Sequence, residues 1–286
     1  MVDLFSTKLI AVPVALLLAS FLFWRAGRRE LFESSLLFDF LIVSLIGSLI
    51  FARLFDFLLF PDIYHWSVIQ LVFVNMYGSF NLWGALAGAI ISGQIYAKLS
   101  KVNFWQIFDL GVAPIVFAAI LISASQVVGN LLLKQEAYFS LYYFVGYFLI
   151  FWFLKRLESK KRHHGFFSCF FLTSTSALYF LPFVFKGYLD QLLIVFSFFI
   201  FGVVVWCRLA KRKPGADLKM IFALFLLIFL KTKRIVTSTR EADSFSRSVL
   251  LSPLYLAKSL AVGVKLLGRE ITFSFWELVG VFKGRK

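Results

Sequence analysis

Charge is what this chain has least of. Only 16% of its 286 residues are Asp, Glu, Lys or Arg, while 60% are apolar. Soluble domains are nearer a quarter charged, so these charges are too few to coat a globule of this size, and a water-soluble fold is excluded. Acidic residues are the scarcer kind: 15 Asp and Glu stand against 30 Lys and Arg, for a formal net charge of +15. Histidine occurs 3 times and cysteine twice. Cys169 and Cys207 lie far apart, in or beside apolar runs, which gives neither a disulfide framework nor a metal spacing and leaves them as packing residues. The same poverty removes most chemistry. There is no Ser-His-Asp order and no glycine-rich phosphate loop, and nothing implies a metal or a cofactor.

What is abundant is Phe, at 38 residues, in long runs almost free of charge. Such runs mark helices whose solvent is lipid. The fold class is therefore all-α, a polytopic membrane protein. Seven stretches are long enough to cross, at 9–24, 36–60, 82–98, 104–133, 137–154, 166–185 and 190–207. The fourth is too long for one straight span; Pro114 predicts a kink, with FWQIFDLG before it at the interface. The first run, LIAVPVALLLASFLFW, precedes Arg25, Arg28 and Arg29 rather than a small-residue cleavage site, and reads as a retained span.

Lys and Arg test that assignment independently. With seven spans, 26 of the 30 fall on one side of the membrane and three (Lys8, Lys134 and Lys186) on the other, leaving Arg53 inside a span. Positive residues mark the cytoplasmic side, so the N-terminus is expected outside and the C-terminus inside. Placed this way, the excess basic charge serves topology and anionic inner-leaflet lipids, not nucleic acid. The expected domains are a seven-helix membrane domain over 1–210 and a basic cytoplasmic tail over 211–286. Within the tail, MIFALFLLIFL (220–230) is too short to span and reads as interfacial or re-entrant. Lys258, Lys265 and Arg269, spaced among aliphatic residues, suggest an amphipathic helix on the inner leaflet.

Ionisable residues inside spans are costly and point by default to function. They are Asp39, Arg53, Asp56 and Asp109. Arg53 and Asp56 sit three apart, on one helix face. Two readings stand side by side: a self-neutralising ion pair, or an Arg53 guanidinium offered to a lipid phosphate. Asp109, near the inner interface, suits a structural role, reaching water or capping a turn. The Gly129-Asn130 pair reads by itself as a helix stop, although Asn130 can also donate and accept at a headgroup. Gly84, Ala85 and Gly88 form a small-residue face for close helix packing. His65, in PDIYHWSVIQ, is the weak candidate for a base near pH 7, or else an interfacial anchor beside Trp66. His163 and His164 belong to the basic run KRLESKKRHH.

Three stretches in order, FDFLIVSLIGSLIFARLFDFLLF, GSFNLWGALAG and FWQIFDLGVAPIVFAAILISASQVVGN, resemble the prolipoprotein diacylglyceryl transferases of bacterial inner membranes. The resemblance covers roughly 9–186. It implies a seven-helix fold with the N-terminus outside, a phosphatidylglycerol-like lipid and a prelipoprotein signal peptide as partners, and transfer of a diacylglyceryl group to a lipobox cysteine. Ala52-Arg53-Leu54, Gly84, Asp109, Pro114, Gly129 and Asn130 keep the family's register, with Arg53, Asn130, Gly129 and Gly84 framing the lipid and Asp56 and Asp109 structural. Departures are as informative. Trp83 stands where the family has a catalytically implicated histidine, Val127 (beside Gln126) where it has an arginine, and Gln135 where it has an acid. Its first-helix tyrosine is missing at Ile10-Ala11-Val12, and its late Arg-Glu-Arg pattern falls on Tyr179, Phe183 and Lys186. The resemblance thus implies an eroded catalytic motif, with His65, Lys134, Glu136 and Lys186 as the available substitutes. The other reading is a non-catalytic relative that binds lipid or a partner protein.

Overall fold

In the computed structural model the described residues are 4–64, 80–133, 136–158, 162–211 and scattered helical positions between 261 and 276. All regular structure among them is helical: α1 (Leu4–Arg29), α2 (Ser34–Leu59), α3 (Pro61–Tyr64), α4 (Leu82–Leu99), α5 (Phe104–Leu132), α6 (Tyr138–Glu158), α7 (Phe166–Lys186) and α8 (Leu189–Leu209). Six of them, α1, α2 and α5 to α8, are long and apolar enough to cross a membrane. α4 coincides with the third expected span, but Gly84, Gly88, Gly93, Ser92, Gln94 and Lys98 dilute its 18 residues and it falls outside that six. α5 keeps Pro114 inside one continuous helix of 29 residues.

The chain divides into two compact units, Met1–Leu209 and Ala210–Lys286. In the second, the described positions between 261 and 276 are helical, the Thr272 hydroxyl donates to the Gly268 carbonyl at 2.9 Å, and Val262, Val264, Phe273 and Trp276 are exposed. The 220–230 segment and Lys258 lie outside the described residues.

The first unit exposes large apolar side chains as well as burying them, as a lipid solvent allows. On α2, Phe38, Ile42, Ile46, Leu49 and Ile50 form an exposed stripe at helical spacing, with Leu37, Phe40 and Gly47 buried on the other side; Arg53 and Asp56 are buried where that stripe would continue toward the helix's end. Burying apolar surface gives helices in lipid little reason to associate, so close backbone approach and interhelical hydrogen bonds must hold them together. The chief pairings run α2 against α4, α1 against α5, α7 against α8, and α5 against α6. At the first, small residues do the work. A Cβ on Gly88 would overlap the Gly47 carbonyl, and one on Gly84 would come within 2.5 Å of the Phe51 carbonyl oxygen. At the second, Ala15, Ala19 and Ala118 pack together between α1 and α5. An aromatic chain ties four helices: Phe23 of α1 stacks on Phe40 of α2 at 6.0 Å, Phe40 meets Tyr96 of α4 at 6.2 Å and Phe104 of α5 at 6.3 Å.

Candidate functional site

The last turns of α2 carry the only concentration of charge on a buried helix face among the described spans. Arg53 and Asp56 are both 4% exposed, as their spacing of three requires if they share a face. What the sequence did not signal is the third member. The chain leaves α2 at Phe60, turns, and forms the single turn of α3, whose last residue points back at α2. Tyr64 is fully buried there; its hydroxyl accepts from Arg53 Nη1 at 2.7 Å and donates to Asp56 Oδ2 at 2.6 Å. Its ring also lies under the guanidinium, 4.9 Å from Cζ to the centroid, and edge-on to Phe57 at 5.4 Å. A cation and a carboxylate are thereby linked through one phenol in a low-dielectric setting, where such bonds are strong.

The other side of the same turn is fixed by Asn81. Its backbone N–H donates to the Ala52 carbonyl at 3.1 Å, and its side chain accepts from Trp83 N (2.9 Å) and Gly84 N (3.2 Å), capping α4. Gly84, expected in the lipid frame, is buried against Phe51 and Phe55 of α2. Its visible role is to let α4 approach the Arg53 turn.

The remaining expected residues lie elsewhere. Asp109 is a cap, but for a distant helix rather than its own. Oδ2 accepts from Gly165 N at 2.6 Å, and Oδ1 accepts from Ser168 N at 2.8 Å and from the Ser168 hydroxyl. These groups open α7, whose N-cap, Gly165, has φ +89° and no side chain to offer. Asp109 of α5 supplies the acceptor from outside, at the helix end that favours a negative charge. Gly129-Asn130 does not end α5, which runs on to Leu132; instead the Asn130 amide donates across to the Ser140 hydroxyl of α6 at 2.8 Å. Gly129 is buried, and its carbonyl accepts from Leu133 N at 3.1 Å. The helix closes just past the pair, where the Leu133 N–H meets the Gly129 and Leu131 carbonyls. Asp39 is exposed, 3.4 Å from the Tyr96 hydroxyl. His65, Lys134, Gln135 and the side chain of Lys186 lie outside the described residues.

Trp83 fills the position where the resemblance expects histidine, and it is buried at 2% exposure. Its ring meets Tyr179 of α7 edge-on at 5.6 Å and Phe198 of α8 at 5.2 Å. Tyr179 continues the cluster to Tyr143 of α6, with ring centroids 4.7 Å apart, and to Phe183 at 5.8 Å. Trp83 and Tyr179, distant in sequence, therefore pack on each other.

The family model described as prolipoprotein diacylglyceryl transferase matches residues 7–193. The chain belongs to this family. Its helices and its bacterial relatives make it a multi-pass protein of the bacterial inner membrane, within a family of membrane transferases of lipoprotein biosynthesis. Curated relatives include the phosphatidylglycerol–prolipoprotein diacylglyceryl transferase of Listeria monocytogenes serotype 4a (strain HCC23), 33% identical over 104 residues. That match covers 36% of this chain and 35% of the relative. The protein of the same name from Oceanobacillus iheyensis is 32% identical over 105 residues, 37% of this chain and 36% of its own length. The chain thus spans about a third of the length of the curated relatives it matches.

Proposed function

We propose that this protein is a divergent phosphatidylglycerol–prolipoprotein diacylglyceryl transferase. It takes a phosphatidylglycerol-like lipid at the outer leaflet and passes its diacylglyceryl group to the lipobox cysteine of a prelipoprotein signal peptide. The thiol gives its proton to a base, the sulfur bonds the glyceryl carbon, and that carbon's C–O bond to the phosphate breaks, releasing glycerol phosphate. The observation that carries this reading is the buried Arg53. A guanidinium inside a membrane helix is costly to keep, and its planar fork suits a phosphodiester. In this reading Arg53 meets the headgroup, Gly84 brings α4 to the same turn, and Gly129 with Asn130 frames the lipid from α5. Asp56 and Asp109 are structural. His65 is the candidate base, with Lys134, Glu136 and Lys186 as the other available groups.

A second reading, a non-catalytic relative that binds lipid or a partner protein, is favoured by Trp83. An apolar ring packed on Tyr179 and Phe198 can neither take nor give a proton. Complementation separates the two. In a strain depleted of its own transferase, the strongly expressed chain is expected to restore growth, while R53A and N130A at equal membrane levels do not. Failure of the unmodified chain at normal membrane levels would favour the second reading.

Seven spans with the N-terminus outside complete the proposal. It is supported by Lys or Arg in the last turns of α1, α4, α6 and α8 and none in those of α2 and α5. The domains are a membrane domain over 1–210 and a tail over 211–286 that rests on anionic inner-leaflet lipids. A cysteine placed at Ser100 should react with an impermeant thiol reagent only after the membrane is opened; labelling in intact cells would reverse the orientation.

A further inference from the structure

We propose that Tyr64 is the positioning residue for Arg53, and that through it α3 sets how this protein discriminates an anionic phospholipid headgroup from a zwitterionic one. The proposal rests on the reading of Arg53 as the headgroup cation. Arginine is long and rich in rotamers, and an unsupported guanidinium would present no defined edge to a phosphodiester. Two contacts from the Tyr64 side chain bear on that orientation. The Tyr64 oxygen takes a hydrogen bond from Arg53 Nη1 at 2.7 Å, and the Tyr64 ring lies 4.9 Å from Cζ. The direction of the phenol proton is fixed as well, because the O–H donates to Asp56 Oδ2 at 2.6 Å, which turns a lone pair toward the guanidinium. Tyr64 itself cannot swing away, being fully buried with its ring against Phe57. The turn at Phe60, closed by the Ile63 N–H on the Phe60 carbonyl at 3.1 Å, aims it at residues eight and eleven positions earlier in the chain.

A phenol bridge lets Asp56 offset the positive charge while Tyr64 shares in holding the guanidinium. A phosphodiester with no compensating ammonium can then meet the cation at a fixed angle, whereas a zwitterionic headgroup brings its own positive charge to the same place.

The test uses the purified full-length chain and its binding of dioleoyl phosphatidylglycerol against dioleoyl phosphatidylethanolamine, read by native mass spectrometry from mixed micelles. The expected result for Y64F is a loss of phosphatidylglycerol affinity of about tenfold, the scale of one charge-assisted hydrogen bond, with phosphatidylethanolamine binding unchanged. R53A should lose the same preference, and the R53A/Y64F double variant should be no worse than R53A alone. D56N, whose amide oxygen still accepts the phenol proton, should keep the preference within about threefold, and it serves as the reporter should Y64F fail to reach the membrane.

The outcomes separate cleanly. If R53A keeps the preference, the Arg53 reading itself is wrong. If R53A loses it while Y64F keeps it, Arg53 stands and the role of Tyr64 is overturned. If D56N loses it as fully as R53A, the carboxylate rather than the phenol holds the guanidinium, and the proposal again fails. Competition by inorganic phosphate as effective as that by the lipid would show a free-anion site instead of a headgroup site.

Discussion

Asp109, a carboxylate on one membrane helix, caps the start of another. It sits in α5 but takes three hydrogen bonds from Gly165 and Ser168 at the start of α7. Removing an acceptor leaves donors buried without a partner, which costs about 1–3 kcal/mol for each such group. D109A should therefore lower the thermal unfolding midpoint of the detergent-solubilised protein by several degrees. D109N, which keeps one acceptor oxygen, should fall between. An unchanged midpoint for D109A would remove the cap from this account. The carboxylate's polar role was legible in the sequence, and its partner was not, because the groups it caps lie 56 and 59 positions away. The same holds for the α2 charges. Their mutual spacing placed Arg53 and Asp56 on one face, but Tyr64 reaches them through a chain reversal at Phe60 that no periodicity announces.

Among elements, the α2–α4 crossing is the most demanding. Gly47 and Gly88 bring two backbones together so closely that a Cβ on Gly88 meets the Gly47 carbonyl, a group that cannot rotate out of the way. G88A should push the helices apart and destabilise by about 1–3 kcal/mol, the usual cost of overpacking. G111A is its control, since the nearest atom to a Cβ there is Phe23 Cδ2 at 3.6 Å, an ordinary contact. Equal unfolding midpoints for the two variants would contradict the crossing described. α7 carries a second element-scale solution. Pro182 removes the N–H that would have bonded the Leu178 carbonyl, and the Tyr142 hydroxyl of α6 donates to that carbonyl at 3.0 Å instead. Helix positions were legible because lipid solvent imposes long charge-free runs. Their ends were less so. At α5, Gly129-Asn130 has the composition of a stop, yet Asn130 is spent on Ser140 and the helix continues.

In the proposed reading, the whole molecule keeps the family's frame while its chemistry is altered. The family frame is present over residues 7–193, with close helix crossings and a buried Arg53 turn. In the proposed reading Trp83 and Tyr179 stand where the family pattern carries ionisable groups, and they pack on each other, with Phe198 against Trp83. A transferase so altered should be slow, since losing one electrostatic donor typically costs ~10²–10³ in rate. The most direct measurement is transfer itself. Purified full-length chain is mixed with phosphatidylglycerol and a lipobox peptide, and the peptide is followed by mass spectrometry. The expected result is a slowly accumulating diacylglyceryl adduct on the peptide cysteine, absent with R53A and with a Cys-to-Ser peptide. A folded chain that binds phosphatidylglycerol yet forms no adduct at any protein concentration would contradict it.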